Sequence, residues 1–397
     1  MQRTYDVVVV GCGGIGSAAA YHLARRAGAG VLAIEQFGLG HDRGSSQDHS
    51  RIIRRSYHDP HAMALAAPAY ELWAELEAES GIGLVVTTGG LDLELLGTTG
   101  PKDLAHCAQA MAAHGIPHEQ LDATELMYRF PQFTLPDHAR GLYQADSGLV
   151  DARKANAVHV ALARRHGATI REGLPVRALR PVGDAVEVIT DEEVFSAGHV
   201  VLAAGAWTNN LLGTLGVRWP ITVTQEQVTY FATPHVRDFA PDRFPIWIWR
   251  APEEFYGFPI YGEVATKAGQ DVGGEEVTAE TRSFEPNPRA HQRLVRFLET
   301  HIPDFLGPEL LTKTCLYTMP PDRQFVLDAV PGQPRITVAV DAAHAFKFAT
   351  LFGRILSQLA LDGRTEYPIG AFRADRPALT DPTFRPVFRN EVVLSHA

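Results

Sequence analysis

The feature that most constrains this chain is Gly11-Cys12-Gly13-Gly14-Ile15-Gly16, set between a run of valines and a stretch of small residues. Val7 to Val10 is β-branched without interruption, the pattern of a strand buried on both faces. Ser17 to Arg26 reads as a helix, and Val31-Leu32-Ala33-Ile34 as a second strand ending in Glu35. Strand, glycine turn, helix and strand in that order form the unit that holds a dinucleotide. Gly11 permits the tight turn, Gly13 lets the backbone approach a pyrophosphate, and Gly16 lets helix and strand pack closely. The phosphates would meet the N–H groups where the helix begins, around Gly14 and Ile15, because the dipole there favours negative charge. Glu35, 24 residues beyond Gly11, is placed to accept hydrogen bonds from an adenosine ribose.

With 397 residues the chain exceeds one ordinary core, so two domains are expected. Its 45% hydrophobic and 21% charged residues are those of a soluble globular protein. No apolar run reaches the roughly 18 residues of a membrane span, and the first strand begins where a signal sequence would lie. A net charge of -10 argues against a general nucleic-acid binder. Cys12, Cys107 and Cys315 are scattered and odd in number, suggesting neither a disulfide framework nor a zinc site. A reducing compartment, the cytoplasm, is the simplest reading. His41, His49, His58 and His61 cluster in a loop-like stretch without ligand spacing, so no metal is expected.

Along the chain, a glycine- and serine-rich loop, Gln36 to Ser50, leads into Arg51-Ile52-Ile53-Arg54, whose arginines would share a face on a helical turn. Helices are expected over Ala62–Ser80, Pro101–His114, Ala123–Arg129 and Asp151–His166; Cys107 falls inside the second of these and reads as a packed, inert thiol. Strands are expected over Leu84–Leu96, broken at Gly89-Gly90, and at Ala168–Arg171. Val176–Leu179, Ala185–Ile189 and Glu193–Ser196 look like an antiparallel meander. It leads to a buried strand at His199–Ala204, which opens onto Gly205-Ala206-Trp207 and a helix near Asn209–Leu215. From Pro220 to Leu327 the texture is aromatic and alternating, with Trp247 and Trp249 two apart, as in a mixed antiparallel sheet with one aromatic face. Arg289–His301 supplies a helix. Phe325–Asp328, Ile336–Val340 and a helix over Phe348–Asp362 read as a return to the first domain, with an extended, proline-rich tail after Arg376. The expected fold is therefore α/β with α+β character. A discontinuous Rossmann-type domain (1–85, 146–218 and 325–385) would hold the dinucleotide. An inserted domain on a mixed, largely antiparallel sheet (86–145 and 219–324) would hold the substrate.

Five blocks occur in a telling order: the glycine motif; Gly44-Ser45-Ser46 followed by Ser50-Arg51-Ile52-Ile53-Arg54; Tyr256-Gly257-Phe258-Pro259; Cys315-Leu316-Tyr317-Thr318 with Asp322; and His344-Ala345-Phe346-Lys347-Phe348. Together they resemble the monomeric sarcosine oxidase and N-methyltryptophan oxidase family, over essentially the whole chain. The resemblance implies FAD attached covalently through the sulfur of Cys315. It also implies oxidation of a secondary amino acid, such as sarcosine or another N-methyl amino acid, to an imine that yields formaldehyde and the primary amino acid, with O2 reduced to H2O2. Arg54 and Lys347 match the family's carboxylate-binding pair, Arg51 an arginine beside the flavin, and Tyr256 and Tyr317 pocket tyrosines. Lys267 matches the lysine that activates oxygen; taken on its own it reads as a surface residue before a turn at Gly269-Gln270-Asp271. Cofactor contacts are implied for Ser45, Ser46, Arg51, Val176, Gly205, Trp207, His344, Phe346 and Lys347, and the protein would act as a monomer.

The chain departs from the family pattern at Ser46-Gln47-Asp48, where sarcosine-oxidising members carry a histidine pair, and at Asp271, where a histidine is expected. Asp341 to Ala345 replaces a glycine-rich run. These changes count against sarcosine itself and leave amine oxidation standing. Asp48 or Asp271 could favour a substrate with an additional positive group. Alternatives are an oxidase of cyclic or bulky secondary amines such as pipecolate or fructosyl amino acids, and a flavin dehydrogenase or binding protein that does not use O2. The glycine motif alone would also allow a nicotinamide-dependent dehydrogenase.

Overall fold

The computed structural model describes residues 3–98, 103–250 and 253–388. Its first sheet, of eight strands, is built on Thr4–Val10, which pairs in parallel with Val31–Ile34 on one side and Val194–Leu202 on the other. Alternate valines bury opposite ways. Val7 and Val9 pack with Ala19, Ala20 and Leu23 of the first helix, Gly14–Ala27, whereas Val8 and Val10 pack with Leu179, Val186 and Phe195. Burial on both faces is what the unbroken β-branched run requires.

Val194–Leu202 is one strand, where the sequence suggests two. Its first half is antiparallel to Ala185–Thr190, which pairs with Val176–Val182, and its second half is parallel to Gln333–Val340. Gly198 in its middle is not a break. A Cβ there would lie 3.0 Å from the Asp6 carbonyl oxygen on the neighbouring strand, so the glycine answers a close backbone approach. The chain's last third rejoins this sheet, through Gln333–Val340 and Val326–Val330 and through the helix Ala349–Asp362, which packs on the first helix.

The second sheet has nine strands and is antiparallel except where Ile246–Arg250 runs parallel to Gly90–Leu95. Residues directly opposed in a ladder share a face. Leu91, Trp247, Ala268 and Phe231 fall on one face, covered by Leu294 and Leu298 of the helix Pro288–His301 and by Phe305. The other face carries, strand by strand, Asp92, Ile248, Tyr256, Gly269, Val228 and Lys313 in a single row. Lys267, Glu226, Cys315 and Tyr317 lie on that same face. The expected aromatic face is thus the core face, and the opposite one is polar.

Three local expectations change. Arg51 belongs to a strand, Ser50–Ile53, which pairs with Gly148–Asp151 in a third, three-stranded sheet, so Arg51 and Arg54 do not share a helical turn. Isoleucines at 52 and 53 favour extended backbone. Lys267 is 2% exposed, inside the strand Thr266–Gln270. Gly269 does not turn the chain; a Cβ there would meet the Gln227 carbonyl oxygen at 3.0 Å and the Tyr256 hydroxyl at 3.1 Å. The tail is not wholly extended, since Pro377–Thr380 forms a short helix with proline at its first position. Of the helix expected over Pro101–His114, Leu104–Ala113 is observed and residues 101–102 lie outside the described residues.

Candidate active site

A cavity of about 2560 Å³ runs from the glycine turn to the polar face of the second sheet. Ordinary small-ligand sites measure roughly 300–1,000 Å³, so there is room for a dinucleotide and a substrate together. Every site residue singled out in the sequence lines this cavity except Gly16. Gly16 lies beneath it, where a Cβ would fall 1.9 Å from the Gly11 carbonyl oxygen, the close packing expected of the motif's last glycine.

At the nucleotide end Gly11 has φ +96°, the left-handed region that glycine alone adopts freely. Gly13 caps the first helix without any side-chain bond, and the Gly14 N–H donates to Ser46 Oγ at 2.8 Å. A Cβ on Gly14 would strike the Phe346 ring at 2.8 Å, so the turn, the following loop and the C-terminal segment are fitted edge to edge. Ile15 lines the cavity beside them, as do Val176, Gly205 and Trp207. Glu35 is buried, and its carboxylate accepts from the Cys12 and Phe37 N–H groups at 2.9 and 3.0 Å. Burial opposes its charge, but His41 and those two amides hold its carboxyl below the usual range. An uncapped helix start, glycines crowded where a Cβ would fill the cradle, and an ionised acid at the strand end fit the adenosine diphosphate half of FAD.

The loop after Glu35 is stitched to the cysteine strand, Glu309–Met319. Ser45 Oγ donates to the Leu316 carbonyl at 2.5 Å and Gln47 to that of Thr314 at 2.7 Å. Arg51 donates to the carbonyls of Ser45, Gln47 and Ser50, which fixes its guanidinium at the cavity wall, 5.9 Å from the Phe346 ring centre. Cys315 is a free thiol pushed up to about 11 by burial, with Arg51 opposing and Glu226 adding to the shift. Cys107, by contrast, is buried in the core away from the cavity, as expected.

Lys267 stands in the middle of the polar face. Its ammonium lies 2.7 Å from Asp48 Oδ2 and donates to the carbonyl and hydroxyl of Ser50. Burial lowers its pKa to about 8, against the pull of Asp48. Asp48 in turn accepts from the Tyr230 hydroxyl at 2.5 Å and faces Lys313 at 3.4 Å. Burial disfavours its charge, yet Lys267 and Arg51 hold its carboxyl well below the ordinary range.

Arg54 and Lys347 meet at Tyr57, whose ring centre is 4.9 Å from the Arg54 guanidinium and 5.8 Å from the Lys347 ammonium. Arg54 is held by Asp92 at 3.0 Å and by the Ser56 carbonyl, and Asp92 is shared with Arg250 at 2.7 Å. The Lys347 Nζ donates to the His344 carbonyl; among the described residues no carboxylate lies within ion-pair distance of it. Burial, then Arg54, lowers it to about 7. Tyr57 carries a buried hydroxyl with no hydrogen-bond partner. Two cations and an unsatisfied donor on one wall fit a carboxylate. His344 lines the same end, its ring against Phe325 and its Nε2 3.2 Å from the Arg323 carbonyl oxygen. Tyr256 and Tyr317 lie on the polar face, on strands with two others between them, and both hydroxyls are raised by burial.

Sequence reasoning missed Tyr57, Asp92, Arg250, Arg323 and Glu226. Parity in the strands was the available signal for Asp92 and Glu226; nothing local marks Tyr57. Neither Asp48 nor Asp271 offers a spare charge to a cationic substrate. Asp48 is paired with Lys267, and both oxygens of Asp271 accept from Arg323 at 2.8 Å. No group of three or more His, Cys, Asp or Glu that could hold a metal occurs among the described residues, nor any helix long and apolar enough to cross a membrane.

Fold and site together define a flavin-dependent oxidoreductase. The sequence matches the family described as FAD dependent oxidoreductase over residues 6–359, and the chain belongs to that family, within its monomeric sarcosine oxidase and N-methyltryptophan oxidase branch. It is 38% identical over 386 residues to a monomeric sarcosine oxidase of Streptomyces avermitilis, covering 95% of this chain and 99% of that protein. It is 30% identical to an N-methyl-L-tryptophan oxidase of Yersinia pestis, covering 94% and 99%. Among solved structures it is similar to NikD, an unusual amino acid oxidase essential for nikkomycin biosynthesis, with TM-score 0.84 and 31% identity over 94% of this chain and 98% of that one.

Proposed function

We propose that the protein oxidises a secondary amino acid with FAD held through Cys315, giving an imine that hydrolyses, with O2 reduced to H2O2. The observation that carries this reading is the meeting of Arg54 and Lys347 over the Tyr57 ring, in the cavity that also holds Cys315 and Lys267. FAD, when bound, accepts the hydride equivalent and delivers the electrons to O2. Arg54 and Lys347 clamp the substrate carboxylate, the arginine giving direction and the lysine a second charge, so that the carbon next to nitrogen is oriented. Tyr57 donates its unsatisfied hydroxyl to the same carboxylate. Tyr256 and Tyr317 form the opposite wall, and Arg51 favours negative charge on the reduced cofactor. Lys267 offers an ammonium where superoxide first forms. Residues 1–85, 146–218 and 325–385 form the cofactor domain and residues 86–145 and 219–324 the substrate domain. In this proposal the protein works as a monomer in the cytoplasm, on a small amine and O2, without nucleic acid or membrane.

The test has two arms. Flavin that stays with acid-precipitated protein and is lost in Cys315→Ala is the expected sign of attachment. H2O2 release is then followed over sarcosine, other N-methyl amino acids, pipecolate and fructosyl amino acids. Turnover is expected with at least one N-methyl amino acid. Reduction of the flavin without H2O2 would move the protein to the dehydrogenases, and no reduction by any of them would overturn the assignment.

A further inference from the structure

Cys315 has a carboxylate as its cross-strand partner. In the ladder between Thr222–Phe231 and Glu309–Met319, Glu226 stands directly opposite Cys315, and directly opposed side chains lie on one face with their Cβ atoms roughly 4.5–5.5 Å apart. Glu226 is 3% exposed. Its Oε1 accepts from Thr224 Oγ1 at 2.6 Å and its Oε2 from the Gly273 N–H at 3.1 Å, so both oxygens are presented as acceptors and neither is neutralised by an ion pair. A Cβ on Gly274 would fall 2.8 Å from the Glu226 carboxyl carbon, so the turn after Thr266–Gln270 is shaped around this carboxylate. Nothing in the carboxylate clamp or the Lys267 pair uses it.

We propose that Glu226 takes the proton of the Cys315 thiol during covalent attachment of the flavin. The inference rests on reading Cys315 as the attachment point. In that step the Cys315 S–H bond breaks, its proton passes to the Glu226 carboxylate, and a carbon–sulfur bond forms to the flavin's 8α carbon as that methyl group gives up one proton. The two electrons released reduce the flavin, which takes up two protons in all; O2 then reoxidises it and leaves as H2O2. A base is needed because a thiol held near 11 contains almost no thiolate at neutral pH. Burial raises Glu226 to about 7, which poises it between acceptor and donor there. The other charged groups facing Cys315 are unsuited. Arg51 and Arg282 are cations, and Lys267 is protonated and paired with Asp48, itself held well below the range of a useful base.

The full-length chain, made without riboflavin and then supplied with FAD, tests this by the growth of acid-stable flavin with time. Native chain should acquire it, Cys315→Ala should not, and Glu226→Gln should bind FAD while attaching it on the order of 10²-fold more slowly. The native rate should rise with pH through about 7, and that inflection should vanish in Glu226→Gln. Glu226→Ala, with the pocket opened, should be rescued by added formate, which a merely structural role would not allow. Attachment by Glu226→Gln at the native rate would overturn the inference while leaving Cys315 as the anchor. No acid-stable flavin in the native chain would instead overturn the anchor itself.

Discussion

Asp48 has φ +81°, a conformation that costs a non-glycine residue about 1–3 kcal/mol and persists only where its surroundings over-determine it. Those surroundings are Lys267, Tyr230 and Lys313, which together hold one buried carboxylate. Asp48→Asn keeps a residue that tolerates this backbone and removes only the charge. Without its counter-ion the Lys267 ammonium becomes easier to deprotonate than at its present pKa of about 8. Reoxidation of the reduced enzyme by O2 should therefore slow as pH rises through about 8 in the native chain and at lower pH in Asp48→Asn. Lys267→Met should slow it at every pH while anaerobic reduction is kept. Stopped-flow profiles that are flat and equal in all three would remove Lys267 from the oxygen reaction. Lys347, lowered to about 7, would make a second pH-dependent contact if it binds the carboxylate as proposed. It is charged below that value, so acetate, which carries no amine to titrate alongside it, should bind more weakly as pH rises through 7. In Lys347→Met the same titration should be weak and flat; a native affinity independent of pH between 6 and 8 would exclude Lys347 from the carboxylate site.

The alternation of the second sheet separates stability from chemistry at the scale of single strands. In Phe255–Phe258, Tyr256 faces the cavity while Phe255 and Gly257 face the core, where Gly257 is covered by the indole of Trp247. A Cβ on Gly257 would meet that ring at 2.5 Å, and the ring is fully buried against Phe297 and Phe305. Gly257→Ala should cost roughly 1–3 kcal/mol by overpacking, seen in urea unfolding, with the bound flavin spectrum unchanged; a spectral shift without loss of stability would reverse the assignment of faces. The period of two was legible at Trp247 and Trp249, because large aromatics mark a core face unaided. It was not legible at Lys267. A lysine followed by Ala-Gly-Gln-Asp reads as solvent and turn, and only the approach of Tyr256 and Gln227 explains why a glycine stands inside that strand. The Arg51 and Arg54 pair misleads for a related reason. Three-residue spacing suggests one helical face, whereas here Arg51 is held in a strand and Arg54 reaches the cavity only after that strand has ended.

Over the whole molecule, the glycine turn could be read from ten consecutive residues because the strand, turn and helix start that make it are contiguous in sequence. The carboxylate end could not, since Tyr57, Asp92 and Arg250 are far apart in sequence and Lys347 joins them only when the chain's last third rejoins the first sheet. Trp73 marks that closure: its indole N–H donates to the Lys347 carbonyl at 2.7 Å, tying the helix Pro60–Ser80 to the C-terminal segment. A cofactor lying along the cavity would touch the glycine turn, the Gly205 segment, the cysteine strand and the Phe346 segment at once. Such a ligand stabilises the folded state by mass action, about 2.7 kcal/mol when free ligand is at 100 times its Kd. That term depends on free FAD only where the cofactor can leave. In Cys315→Ala, whose FAD would be held by non-covalent contacts alone, the unfolding temperature should climb with added FAD. In a native chain flavinylated as proposed it should stay fixed, because a tethered cofactor would already fill the cavity. A native chain that keeps gaining stability with added FAD, in step with the variant, would mean that the cofactor exchanges freely and that Cys315 does not anchor it.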